Sequence, residues 1–262
     1  MGHRDAEGIH LSEENWAKIS VDTMGFSSEK LIRALEAQLA RKQEKEQATA
    51  SLAPACAYTH ADRSGPLGTA RHSWFMDWYY KLGFSLQIPV PPVSDAEYEQ
   101  RQPLGQELFY RPASSDLSAS AQAGVSYDAL MKAVGQSEHW TLIDKNDRKK
   151  IVWESAKAGY WFWAEVAPAC PRLGSSWNKL VHEQKLCLLS LEEYAIVWWA
   201  HQAAANIMLD IKTWSWLRTR FGSGALYADE CDGWVRVGRW CADALADSYG
   251  GAGGRAAEVV KR

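Results

Sequence analysis

The sequence predicts an α+β domain of short, mainly antiparallel strands packed against two or more helices, with an N-terminal helical extension. Three observations predict it. Ser190-Leu-Glu-Glu193 has the Ser-x-x-Glu pattern of a capping box, and it opens a helix in which Tyr194, Val197, Trp198 and His201 share one face. Residues 159–166, 213–220 and 234–240 have the composition and period-two alternation of strands. Asp232-Gly233 lies between two extended runs, a strong hairpin signal. The main domain is expected over residues 107–262, with 1–106 as a helical and irregular extension.

In chain order, Ser27 and Ser28 can cap a helix through Leu31, Ile32, Leu35 and Leu39, an apolar stripe at helical spacing. Residues 41–47 are polar on every side, so this helix reads either as a solvated end or as an oligomerising helix of a homo-oligomer. Residues 48–68 read as a linker. Trp74-Phe-Met-Asp-Trp-Tyr-Tyr80 is too aromatic for water and is expected to pack on the main domain. Pro89, Pro91 and Pro92 then interrupt regular structure. Residues 107–111 read as a short strand, and the Ser/Ala-rich stretch 113–125 as a mobile loop. Ser126 is expected to cap a helix containing Tyr127, Leu130, Met131 and Val134. Residues 150–153 and 159–166 follow as strands. Both faces of the second are largely apolar, which places it centrally in a sheet.

Composition narrows the function. The 29 Lys and Arg are balanced by 32 Asp and Glu for a net charge of -3, so no basic excess points to nucleic acid. No apolar run approaches the roughly 18 residues of a membrane span. The charged N-terminus does not resemble a signal peptide. The default compartment is the cytoplasm, with a cell-surface or virion location also compatible. The five cysteines, Cys56, Cys170, Cys187, Cys231 and Cys241, contain no CxxC and read as buried or idle thiols, with no metal or cofactor implied. The unusual feature is 14 Trp, of which eleven lie at or after Trp140. Trp carries a large apolar ring and one N–H donor, so it suits cores and recognition surfaces alike.

The C-terminal segment is where that choice matters. In residues 234–240, Val235 and Val237 point one way and Trp234, Arg236, Gly238 and Trp240 the other. With the valines inward, two tryptophans and an arginine face outward. Trp234 and Trp240 read either as core rings or as part of a recognition surface with Tyr227, Asp229, Glu230, Cys231, Asp243 and Tyr249. Exposed Tyr, Trp and Arg supply area and donors at low entropic cost. The acids Asp229, Glu230 and Asp232 could form a carboxylate pair or a Ca²⁺ site, though a hairpin with solvated acids accounts for them as well.

The order of motifs carries a resemblance. Trp214-Ser-Trp-Leu-Arg218, then Asp232-Gly233, then Gly253-Gly-Arg255 before a closing apolar strand, with the helix at Leu191-Glu-Glu-Tyr194 ahead of them, resembles the C-terminal half of C-type-lectin-like domains. The branch is that of formylglycine-generating enzymes and of the variable proteins of diversity-generating retroelements, most like the latter. The resemblance covers residues 160–260. It implies a non-enzymatic protein that displays a diversified surface to a protein or other macromolecular ligand. The implied ligand-binding residues are Tyr227, Asp229, Glu230, Cys231, Trp234, Arg236, Gly238, Trp240, Cys241, Asp243, Ser248 and Tyr249. Trp214, Trp216, Leu217, Val235, Val237 and Arg255 become scaffold, with Arg255 tied to a neighbouring carboxylate. Two other classes compete. A formylglycine-generating-type oxidase needs two adjacent thiolates, for which Cys231 and Cys241 are the candidates. A structural virion or surface component would use its aromatics only against sister subunits.

Overall fold

The capping box at Ser190 forms, and the helix behind it becomes the centre of the core. In the computed structural model, which describes residues 67–260 except 120–121, 137–142, 144–146 and 232, Ser190 Oγ accepts from the Glu193 N–H at 3.2 Å and Glu193 Oε2 accepts from the Ser190 N–H at 2.8 Å. Every residue from Leu191 to Gln202 is buried. A helix apolar on all sides must be covered on all sides, and the rest of the fold supplies that cover. The expected helix over residues 31–39, and Cys56, lie outside the described residues.

The described helices and strands are α1 (Leu67–Lys81), α2 (Asp95–Arg101), β1 (Gln106–Arg111), α3 (Ser114–Leu117), α4 (Ala123–Ala133), β2 (Ile151–Val152), β3 (Tyr160–Glu165), α5 (Leu191–Ala205), β4 (Trp214–Phe221), β5 (Gly224–Cys231), β6 (Trp234–Trp240), β7 (Ala252–Gly254) and β8 (Ala257–Val259). The chain is a mixed α+β fold with two sheets. One has the order β1-β3-β8, antiparallel throughout, with Phe162 opposite Phe109 on one side and Val259 on the other. The central position expected for β3 is the one it occupies. The second sheet runs β2-β4-β5-β6, antiparallel. Here β7 joins β4 in parallel, pairing Trp214–Trp216, while β2 pairs Arg220 and Phe221.

The aromatic segment 74–80 packs on the core as expected. Trp74, Phe75, Trp78 and Tyr79 of α1 are buried and share one cluster with Phe109, Trp161 and Phe162. The helix also covers the open edge of β1, whose outward carbonyls would otherwise invite another strand. Arg71 Nε donates to the Leu108 carbonyl at 2.7 Å, and the Tyr79 hydroxyl donates to that of Tyr110 at 2.9 Å. Arg71 is also paired with Glu107 at 3.2 Å, and His201 Nδ1 lies 3.6 Å from the same carboxylate. Burial pushes Glu107 up, but His201 and the Arg71 charge outweigh it and hold its pKa at about 2. Tyr98 of α2 lies in the same cluster, so α1 and α2 share a core with the strands that follow them.

Two local expectations are corrected. Ser126 does not cap α4, which begins at Ala123 with Gln122 at the cap position. Ser126 sits inside the helix and donates to the buried Glu192 carboxylate at 3.0 Å, a use that only tertiary packing reveals. The stretch 113–125 is not one loop. It forms α3 and the start of α4, and Ser114 is fixed to Ala156 by two hydrogen bonds, N–H to carbonyl at 2.9 Å and Ala156 N–H to Oγ at 3.1 Å.

A buried charge network ties the two sheets to α5. Arg111 of β1 pairs with Glu192, and Arg218 of β4 pairs with Glu193 at 2.7 Å. Glu193 also accepts from the Tyr160 hydroxyl at 2.6 Å. Burial opposes ionisation of Glu193, yet Arg218 and these hydrogen bonds hold its pKa below the usual range. Glu192, more weakly compensated by Arg111 and Ser126, is raised by its burial. Among the described residues, no helix is long and apolar enough to cross a membrane.

Candidate functional site

The alternation read in residues 234–240 places the two faces of the second sheet in unlike surroundings. Val235 and Val237 are fully buried with Leu217, Leu226 and Ala228 in the main core. The opposite face covers a smaller cluster of Trp177, Leu180, Leu188, Trp216, Ala225, Leu245 and Ala252. Around its rim stand Trp214, Tyr227, Trp240 and Tyr249, all half-buried.

These four rings form one aromatic assembly. Trp214 lies nearly parallel to Trp240, 19° apart with centroids at 6.1 Å. Tyr249 stacks on Trp240 at 4.8 Å and 24°. Tyr227 leans on Trp214 at 4.9 Å. Cross-strand register explains its position: Tyr227 is paired with Gly238, and a Cβ on Gly238 would stand 2.2 Å from Tyr227 Cζ. The glycine is there so that the phenol can lie flat across β6. Trp240 Nε1 is buried and has no acceptor among the described residues. Such a donor costs about 1–3 kcal/mol relative to a paired one.

Beside the rings, Asp229 and Arg236 are also register partners. Arg236 Nε donates to Asp229 Oδ1 at 2.9 Å and Nη2 to Oδ2 at 2.5 Å, a bidentate pair with the arginine side chain 38% exposed. Its pKa is raised, chiefly by that hydrogen bonding. Cys231 Sγ lies 3.6 Å from Arg236 Nη1.

The support beneath is polar and closed. Asp210, buried and in the left-handed backbone region at φ 61°, accepts hydrogen bonds from three hydroxyls and one guanidinium. Arg255 Nη2 donates at 2.6 Å and Nε at 3.2 Å, Tyr194 at 2.9 Å, Thr213 at 3.1 Å and Ser215 at 2.6 Å. Since Ser215 spends its proton on Asp210, the Cys170 thiol is the donor of its own contacts, with Ser215 Oγ at 3.1 Å and the Pro171 carbonyl at 3.5 Å sharing its one proton. Burial and then the Asp210 charge push that thiol up to about 12, so it stays protonated. The tie expected for Arg255 therefore exists, with Asp210 as the carboxylate. The adjoining Gly253 lets β7 approach: a Cβ there would fall 2.2 Å from the Pro171 carbonyl oxygen.

The twelve residues singled out from the sequence are not one cluster. Tyr227, Trp240 and Tyr249 come together around Trp214, a residue expected in the scaffold. Asp229, Arg236 and Cys231 form a neighbouring polar group. Trp234 shares the backbone parity of Trp240, but its ring packs edge-on to Trp199 of α5 at 5.7 Å, at the border of the main core. Gly238 is buried under Tyr227 and contributes space rather than contact. Glu230 closes the hairpin, accepting from the Gly233 N–H at 2.5 Å. Cys241, Asp243 and Ser248 are exposed on the turn and loop after β6. That turn is pinned by buried Ala244 and Leu245.

The two thiols of the oxidase alternative flank opposite ends of β6: Cys231 pairs with Trp234, while Cys241 follows Trp240. Six residues of extended strand between those ends span about 20 Å, far beyond the reach of one metal ion. Among the described residues, no group of three or more His, Cys, Asp or Glu could hold a metal. No protein-family model matches the chain, and neither a curated protein nor a solved structure matches it.

Proposed function

We propose that the protein is a ligand-binding variable protein on a C-type-lectin-like scaffold, of the kind encoded with diversity-generating retroelements, and that the aromatic face of the second sheet meets a protein or other macromolecular ligand. The observation that carries this reading is the division of labour within β5 and β6. Their aliphatic positions are fully buried, while Tyr227, Arg236 and Trp240 on the alternate positions, with Trp214 and Tyr249, are left partly open to solvent. A surface of half-buried Tyr, Trp and Arg resting on a rigid base is suited to recognition, because little side-chain entropy is lost on contact. The scaffold part of the reading is supported by the pairing of early and late strands, β1 and β8, on either side of β3, which brings the two ends of the domain together.

Sequencing the DNA that flanks the gene tests this directly. A near-copy of the segment encoding residues 214–255, differing mainly at adenines and lying beside a reverse-transcriptase gene, is the expected result. The differences should fall on codons for positions such as Tyr227, Arg236 and Tyr249 and spare Leu226, Val235 and Val237. A near-copy whose differences fall on the valines as often as on the rings would overturn the assignment of the face. No near-copy would overturn the variable-protein reading itself.

A further inference from the structure

A second site lies on the other sheet, far in sequence from the aromatic face and independent of the reading above. Residues 85–89, the start of α3 (113–116) and residues 157–159 line an open cleft of about 510 Å³. This is within the range of small-molecule sites, roughly 300–1,000 Å³.

The walls are held in place before any ligand arrives. The 85–89 segment is fixed by Trp161 Nε1 donating to the Pro89 carbonyl at 2.7 Å and by His72 Nε2 at 2.7 Å from the Ile88 carbonyl oxygen. The other two segments are locked together by the pair of hydrogen bonds between Ser114 and Ala156. The floor is Tyr110, whose hydroxyl occupies the space where a side chain on Gly159 would begin, 1.9 Å from a built Cβ. Gly159 is thus the residue that lets the phenol into the cleft.

The lining carries opposite charges that do not neutralise each other. Asp116 and Lys157 both line the cleft and both are exposed. They stand two residues and one residue from the Ser114–Ala156 link, and no ion pair joins them or engages either one among the described residues. Asp116 is held by one hydrogen bond, accepting from the Ala113 N–H through Oδ2 at 3.2 Å, which leaves Oδ1 for another donor. On the facing segment, Ser85 and Gln87 add neutral donors and acceptors, and Leu86 adds an apolar contact.

We propose that this cleft binds a zwitterionic small molecule of the amino-acid class, with Lys157 taking its carboxylate and Asp116 its ammonium group. A free amino acid and the end of a short peptide share part of this chemistry. The free amino acid carries both charged groups on one carbon, so a single small ligand presents both to the two residues that line the cleft.

The test is a titration of the isotope-labelled full chain with individual free L-amino acids, followed by the backbone amide resonances of Ser115, Asp116, Lys157 and Gly159. The same amino acids blocked as N-acetyl amides serve as uncharged probes, and dipeptides as probes with separated charges. Saturable shifts of these amides with at least one free amino acid, absent with its blocked form and weaker with dipeptides, are expected. Lys157→Gln and Asp116→Asn should each weaken the affinity by about tenfold or more, the scale of one charge-assisted hydrogen bond. Both residues are exposed and asparagine at 116 keeps an acceptor for the Ala113 N–H, so melting temperatures should match the parent and spectra should change only next to the substituted residue. Silence of these amides toward every free amino acid would overturn the proposal. Equal shifts from blocked and free forms would also overturn it, since charge would then play no part. Tighter binding of dipeptides than of free amino acids would overturn the amino-acid assignment in favour of a peptide end.

Discussion

The two faces of the β4-β5-β6 sheet are built from the same strands and differ in what covers them. On one face Leu217, Leu226, Ala228, Val235 and Val237 have no exposure at all, because they pack into the main core with α5. On the other, Trp216 alone among the large rings of the strands is fully buried, and Trp214, Tyr227 and Trp240 remain partly open. Aliphatic side chains have no use for water, so their face sets the register of the whole sheet. The aromatic rings tolerate partial exposure because each combines apolar area with a polar atom. One face can therefore hold the fold while the other is free to be spent on contacts.

If that division is right, the costliest change should lie not in the rings but in what anchors them. Arg255→Met removes the guanidinium that neutralises Asp210 in a site where neither side chain is exposed. Breaking a buried pair from one side leaves an uncompensated charge, and a loss of about 3–5 kcal/mol is expected by urea denaturation. Adding Asp210→Asn to that variant should recover part of the loss. A loss under about 1 kcal/mol would mean that β7 is not held through this pair, and the rigid base of the aromatic face would be gone from the argument.

An intermediate effect is expected on the core side, where Glu107 links β1 to Arg71 of α1 and His201 of α5. Its carboxyl is held at about 2 in the folded chain, against about 4.3 unfolded. A depressed carboxyl contributes stability that is complete above the unfolded pKa and disappears as pH falls through the folded one. Glu107→Gln should therefore cost roughly 2–3 kcal/mol at neutral pH, and the difference from the parent should shrink between about pH 4.5 and pH 2. Urea midpoints measured across that window check the sign. A difference independent of pH would assign the loss to packing rather than to charge.

Much of this was legible in the sequence, for identifiable reasons. The capping box of α5, the central place of β3 and the inward valines of β6 are local patterns, and local patterns survive folding here. Arg255 was expected to find a carboxylate, but its partner was not visible. Asp210 lies in the loop between α5 and β4 and adopts a left-handed conformation that Asp tolerates better than most residues. No periodicity marks such a position. Trp214 shares parity with Trp216 but is only half-buried, because its surroundings depend on the parallel pairing with β7 and on Tyr249 in the loop before it. Trp234 has the parity of an outward ring, yet it packs edge-on against Trp199 at the border of the main core. Ser126 looked like a cap because the buried Glu192 that uses its hydroxyl is 66 residues away.

The smallest effect should come from the outermost ring. Tyr249 sits in the loop before β7 and touches Trp240 and Trp214 by stacking, with its hydroxyl 3.3 Å from Asp247 Oδ2. It covers Trp240 from the solvent side and supports nothing above it. Tyr249→Ala should therefore change stability by no more than about 1 kcal/mol, as surface substitutions outside a core do. The local change should be larger than the global one. With its cover removed, the Trp240 indole N–H, buried and without an acceptor in the parent, gains access to water, and its hydrogen exchange should quicken while amides of Val235 and Val237 keep their protection. If the valine amides lose protection together with the indole, the aromatic face and the aliphatic face form one cooperative unit, and the freedom to vary one without the other disappears.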